Sequence, residues 1–155
     1  MAIFMLYEGI TGEHAVAGET GLIKLDSTGW GATRSTASVP PALRARSEPA
    51  ISELTCSKQT DGSSIALLIE ALTGRFDRSV TISFMRQGTN TVLTYLSYKL
   101  YDCGIGSFQQ SGPGEGAPME SFSLNFTAIE VTHTVYEDDF TGVPSTVFYS
   151  IPEAK

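Results

Sequence analysis

Between Pro118 and Tyr136 the chain alternates apolar and polar residues over a span about three times that of an ordinary strand. That run limits what the chain can fold into more than any other segment. Phe122, Leu124 and Phe126 take one side of an extended backbone, and Ser123 and Asn125 take the other. Beyond Thr127 the apolar phase slips by one, to Ile129, Val131 and either His133 or Val135. A strand that keeps one apolar face through such a slip needs an extra residue, so a β-bulge is expected near Thr127-Ala128. A long, bulged strand predicts a closed or strongly coiled sheet. It describes a building block more readily than an active site.

Other segments supply partners for that strand. Residues 2–8, Gly21 to Ser27, Ala50 to Ser57, a strand through Val80, Ile82 and Phe84, and Thr146 to Ile151 all read as strands. Gln87-Gly88-Thr89-Asn90 forms a tight turn into a long strand from Thr91 to Cys103. Val92, Leu96, Tyr98 and Leu100 share one face of it. Leu93, Tyr95, Tyr101 and Cys103 share the other, where Lys99 is the only charge. Two partly apolar faces predict burial by a second layer or by a neighbouring subunit. Gly104 to Phe108 extends the ladder, and Gln109 to Ala117 reads as a glycine-rich loop. That loop has no Gly-Lys-Ser/Thr ending and no strand-to-helix context, so it does not read as a phosphate cradle.

One helix stands out. Asp61 or Ser63 can cap it, Ile65, Leu68, Ile69 and Leu72 recur at helical spacing, and Gly74 stops it. The stripe predicts a core-facing side, because two to three turns cannot stand alone. Ala66, Leu67 and Ala71 widen the apolar surface towards a second element. Trp30, flanked by Gly29 and Gly31, reads as a core or rim anchor rather than a ligand-stacking residue.

The tally is about eight strands and one helix. The fold class expected is mostly β: a compact antiparallel β-barrel of two packed, coiled sheets with one short flanking α-helix. Its 155 residues suffice for a single domain with a substantial core. Residues 32–49 depart from this pattern. Arg34, Arg44 and Arg46 stand there among Ser, Thr, Pro40, Pro41 and Pro49, which predicts a long surface loop or arm. It is either an ordinary solvated loop or an element that docks on an acidic face of another subunit.

Charge excludes one class of partner. With 17 acidic residues against 10 basic ones the net charge is −7, and no Lys/Arg cluster offers a nucleic-acid footprint. Membrane insertion is not expected, since no segment approaches about 20 apolar residues. Ile3-Phe4-Met5-Leu6 ends at Glu8 without a preceding basic region, so no cleaved signal peptide is expected and synthesis in the cytoplasm is. Cys56 and Cys103 are expected as buried, reduced thiols.

Residues for catalysis are hard to find. His14 and His133 have no second His or Cys at metal-ligand spacing, and no Gly-x-Ser-x-Gly elbow occurs. Glu137-Asp138-Asp139 lacks calcium-loop spacing and reads as a solvated acidic turn. No catalytic residue, metal or cofactor is expected, and the chain is read as a non-enzyme.

Several segments match a known pattern in order and spacing. They are the opening strand ending at Glu8-Gly9, then Thr11-Gly12-Glu13, then Ser27-Thr28-Gly29-Trp30-Gly31. The series continues with Lys58 to Gly74 around Asp61-Gly62-Ser63-Ser64, and ends with Pro118-Met119-Glu120-Ser121-Phe122-Ser123-Leu124-Asn125-Phe126 before Ile129-Glu130-Val131. Together they resemble the Hcp family, haemolysin-coregulated proteins that build the inner tube of the bacterial type VI secretion system. The resemblance implies a β-barrel with a flanking helix, assembled as a homo-hexamer with a wide channel. It also implies rings that stack, a sheath and spike around them, small effector proteins carried in the lumen, and export without a cleaved signal.

Within that frame the expected ring-interface residues are Tyr95, Lys99 and Tyr101 with Ser123 and Asn125. Arg34, Arg44 and Arg46 are expected to meet carboxylates such as Glu137, Asp138 and Asp139 between rings or towards the sheath. Trp30, Ile65, Leu68, Ile69, Leu72, Phe122, Leu124 and Phe126 are the expected core. The alternative function is a β-barrel binding or effector-chaperone module that builds no tube.

Overall fold

The structure is a computed structural model, and it describes residues 2–16, 18–34, 49–88, 91–136 and 142–151. The described residues form twelve strands and one helix. In chain order the strands are β1 (Ala2–Tyr7), β2 (His14–Val16), β3 (Glu19–Leu25), β4 (Ser27–Gly29), β5 (Ala32–Arg34), β6 (Pro49–Ile51) and β7 (Leu54–Gln59). After helix α1 (Ser64–Thr73) come β8 (Arg78–Gln87), β9 (Val92–Ser111), β10 (Met119–Asn125), β11 (Ala128–Tyr136) and β12 (Gly142–Ser150). The extra strands are mostly three-residue pieces in segments whose polar composition reads as loop, such as His14–Val16 and Ala32–Arg34.

One path of paired strands runs β2-β3-β1-β8-β9-β10-β7-β4, with β11 paired to β9 and β12 to β11, while β5 and β6 pair with each other. All the ladders are antiparallel. The path is not closed, which corrects the expectation of a closed barrel. Its ends are β2 and β4, and no ladder joins β3 to β4. The reason is local: a single residue, Asp26, separates these strands, too little chain to turn one beside the other. Asp26 instead gives its N–H to Ser57 O at 2.7 Å as the chain passes from the β1 ladder to the β7 ladder.

The sheet nonetheless curls around one main core. Met5 and Tyr7 of β1, Ile23 and Leu25 of β3, Leu54 and Cys56 of β7, Val80 and Ile82 of β8, Leu100 and Ile105 of β9, Phe122 and Leu124 of β10, and Ile129 of β11 share a buried cluster. Phe122, Leu124 and Phe126 are all buried within it. Phe108 stacks on Phe122, its cross-strand partner, at 6.3 Å. Trp30 is half-buried at the rim of this core, edge-on to Tyr98 at 6.0 Å.

The phase slip in the 118–136 run has a different origin from the expected bulge near Thr127-Ala128. The run is broken at Phe126-Thr127, yet Asn125 faces Gly104 and Ala128 faces Tyr101, so register with β9 passes through the break unchanged. The irregularities lie in β9. One extra residue, Gly106, stands opposite Ser123/Leu124. Asp102 adopts φ 48°, a left-handed conformation that Asp tolerates better than most side chains. Thr127 secures that bend with its N–H to Tyr101 O and its Oγ1–H to Asp102 Oδ2, each at 3.0 Å.

Two other expectations change with this kink. Cys103 is buried, as expected of it, but on the core side rather than on the face of Tyr101, because a register shift with β8 beside Asp102 turns it inward. The expected loop from Gln109 begins only after Ser111, since Gln109, Gln110 and Ser111 pair with Ser121, Glu120 and Met119.

Candidate assembly surface

Alternation along β7 points Leu54, Cys56 and Lys58 inward, and along β10 it points Glu120, Phe122 and Leu124 inward. Lys58 and Glu120 are direct cross-strand partners. Their side chains are both fully buried, with Nζ and Oε1 2.8 Å apart. Such a pair is tolerable only when its remaining hydrogen-bonding capacity is filled. Here it is filled: Lys58 Nζ also donates to Asp61 Oδ1 at 2.9 Å and Ser64 Oγ at 3.2 Å. Ser64 donates to Glu120 Oε1, and Thr60 Oγ1 and Gln110 Nε2 serve Oε2.

The network fixes the start of α1 against the sheet. Asp61 Oδ1 accepts the Ser63 N–H, and the Asp61 N–H is donated to Ser64 Oγ, each at 2.9 Å. Burial works against the Asp61 charge, but hydrogen bonds from Ser63 and Lys58 outweigh it and hold the carboxyl below its ordinary range. Arg78 of β8 holds the far end, with Nη2 2.9 Å and Nε 3.2 Å from Glu70 Oε1. Gly9, at φ 85°, lets the Arg78 guanidinium lie close by, since a Cβ there would stand 2.8 Å from Nη1. Burial, and then the Glu70 charge, push the Tyr7 phenol beneath this clamp far up.

These anchors invert the helix relative to its apolar stripe. Ser64, Leu67 and Glu70 are buried, with Ala66 and Ala71 against the core. Ile65, Ile69 and Leu72 are instead exposed, by 68%, 54% and 77%, and Leu68 is half-buried. The expected core role of Ile65, Ile69 and Leu72 is therefore corrected. A buried ion-pair network can be satisfied in only one orientation, and small alanines let that side approach the sheet. Gly74 ends the helix in the left-handed conformation, with its N–H on Glu70 O.

A second uncovered apolar surface lies on the β11–β12 hairpin. Val135, Val143 and Val147 on one face of the hairpin and Phe148 on the other are each more than half exposed. Phe148 meets Tyr101 edge-on at 5.7 Å, Lys99 Nζ lies 5.3 Å from the Tyr101 ring centre, and Tyr101 Oη donates to Glu130 Oε2 at 2.9 Å. Lys99 and Tyr101 are thus brought together.

Tyr95 is set apart from them. It is the extra β9 residue where the register with β8 shifts at Phe84/Met85. The bulge turns it to the same side as Tyr98, so both rings meet Phe84, at 6.3 and 5.4 Å. Ser123 is buried and hydrogen-bonded to Ser107 Oγ at 2.8 Å, so it is not available to a ring interface. The twist at the Gly106 bulge draws it in. Asn125 is exposed and donates to Glu53 Oε1 at 3.3 Å. Arg34 is exposed on β5, whereas Arg44, Arg46, Glu137, Asp138 and Asp139 lie outside the described residues.

The sequence reading missed Lys58 and Glu120. The available signal was a lone charge at an inward position of each of two strands. It also missed the β12 surface, because Gly142 to Ser145 had no strand-like pattern of its own.

Among the described residues no group of three or more His, Cys, Asp or Glu side chains is placed to hold a metal ion. Burial pushes the Cys56 and Cys103 thiols up to about 12. His14 lies with its ring centre 5.9 Å from that of Phe4, and His133 is exposed on β11. No described helix is long and apolar enough to cross a membrane.

An open, coiled β-sheet with an externally fixed helix and two uncovered apolar surfaces defines an assembly module. The family model for the type VI secretion system effector Hcp matches residues 4–133. The chain belongs to that family, and its function is that of a tube-forming structural subunit of the type VI secretion system. A solved type six secretion system protein is similar over 96% of this chain and 94% of its own, at 17% identity and TM-score 0.83. Hcp1 from Salmonella typhimurium is similar at 20% identity and TM-score 0.74, covering 97% of this chain and 94% of its own. A type VI secretion system effector from Yersinia pestis follows at 19% identity and TM-score 0.73, covering 96% and 99%. At these identities the structural likenesses speak to the fold. No curated protein sequence matches the chain.

Proposed function

We propose that this chain, as one domain, assembles into homo-hexameric rings that stack into the inner tube of a type VI secretion system. The observation that carries the proposal is the pair of uncovered apolar surfaces, the α1 stripe and the β11–β12 hairpin, on a protomer whose core is otherwise well buried. Exposed apolar area of this kind marks protein contacts. A closed ring requires two different, complementary faces on each copy, and the two surfaces belong to different elements.

In the proposed ring, Lys99, Tyr101 and Phe148 supply a partly apolar, cation-bearing contact, with Asn125 at its margin. Arg34, Arg44 and Arg46 meet carboxylates, Glu137 to Asp139 among them, between rings or on the sheath. Small effector proteins travel in the lumen, and a spike caps the tube. The subunit works without catalysis and leaves the cell with the tube it builds.

Negative-stain images of the purified chain test this reading: rings with a central hole support it. A monomer that persists at high concentration would support the effector-chaperone reading instead.

A further inference from the structure

The register shift that turns Tyr95 also opens a cup at one end of the β8–β9–β11 sheet. The β11–β9 ladder stops at His133 opposite Leu96, and Thr134 to Tyr136 run on without pairing to β9. Tyr136 reaches back across the gap and donates its Oη–H to Thr94 O at 2.7 Å. The space left has a volume of about 310 Å³ and is lined by Arg86, Tyr95, His133, Thr134, Val135 and Tyr136. No carboxylate lines it among the described residues.

Arg86 is the unusual member. Its guanidinium lies over the Tyr136 ring, 5.9 Å from the centre, and it forms no ion pair among the described residues. Arg75 and Arg78 each hold a carboxylate. On a chain with 17 acidic residues and 10 basic ones, an arginine set against a ring with no counter-charge among the described residues stands out. The cation–π contact uses no N–H donor in an ion pair among the described residues, and a guanidinium can receive a carboxylate in two parallel hydrogen bonds. Tyr95 and Val135 offer apolar walls beside it, and His133 offers a further ring nitrogen.

We propose that this cup binds an acidic peptide segment of a partner protein, one carboxylate taking the edge of Arg86 and a neighbouring apolar side chain lying against Tyr95 and Val135. A side-chain-sized volume suits one or two residues of an extended segment rather than a folded surface. The inference does not rest on the tube reading, since the cup lies within a single protomer.

The test uses the full chain in whatever oligomeric state it adopts. A fluorescein-labelled, end-blocked peptide Glu-Phe-Glu and its Gln-Phe-Gln counterpart are titrated by anisotropy against wild type, Arg86→Gln, Arg86→Lys and, as a remote control, Arg75→Gln. We expect saturable binding of the acidic peptide only. Arg86→Gln weakens it about tenfold or more, Arg86→Lys weakens it to a smaller degree, and Arg75→Gln changes it less than about twofold. Circular dichroism melting confirms that each variant is folded. Equal binding of both peptides, equal losses in Arg86→Gln and Arg75→Gln, or no saturation up to about 10 mM chain each overturn the proposal.

Discussion

Lys58 and Glu120 face each other across the β7–β10 ladder as a fully buried ion pair, 2.8 Å apart, and together fix where helix α1 begins. Removing one member leaves the other charged and desolvated. Lys58→Met or Glu120→Leu should each cost about 3–5 kcal/mol in urea-induced unfolding. The double variant Lys58→Met/Glu120→Leu should recover much of that loss, because a packed apolar pair carries no desolvation penalty. Additive losses in the double variant would show that the two residues act separately.

The inverted helix makes a second prediction. Leu67→Ala, at a fully buried position, should destabilise the protomer by about 2–5 kcal/mol. Ile69→Ser and Leu72→Ser, at exposed positions, should change unfolding of the dilute protein by only about 0.5 kcal/mol. The same two serine variants should raise the concentration at which sedimentation detects assembly. Large destabilisation by Leu72→Ser in dilute protein would place the stripe back in the core.

Asp102 should respond to backbone geometry more than to side-chain volume. At φ 48°, Asp102→Val should cost about 2 kcal/mol, because a β-branched residue resists the left-handed region. Asp102→Gly removes the Thr127 hydrogen bond but relieves the same backbone preference, so its cost should be less than half as large in parallel thermal melts.

Thiol titration gives a pH prediction with a definite sign. Folding raises the pKa of Cys56 and of Cys103 to about 12, so the folded state holds both protons more tightly than the unfolded chain. That contribution is whole below the unfolded thiol range, about 8.5, and fades as pH rises from there towards 12. At pH 8 both thiols should resist iodoacetamide in the native protein and react once urea unfolds it. Rapid native labelling of either would contradict their burial.

Legibility from sequence followed the reach of the interactions. The strands of β1, β3, β7, β8 and β10 were readable because alternation is local, and Phe122, Leu124 and Phe126 follow it into the core. The helix was readable as a helix, through Gly74 and its spacing, but not in its orientation. Ile65, Ile69 and Leu72 form the more apolar side, yet the side that docks is chosen by Lys58, Glu120 and Arg78, which are distant in sequence. The slip at Thr127 was visible, but its cause sits on the neighbouring strand at Asp102 and Gly106. Of the expected interface, Lys99 and Tyr101 come together, whereas Ser123 is withdrawn by a bulge that no single strand's pattern reveals.

The central claim is that the chain is a ring-forming tube subunit with two surfaces that need a partner. Sedimentation equilibrium across a wide concentration range tests it most directly. The account predicts a species of about 100 kDa, six times the 16.6 kDa chain, that dissociates more readily in Leu72→Ser. A single species of about 17 kDa at every concentration, unchanged by Leu72→Ser, would contradict it.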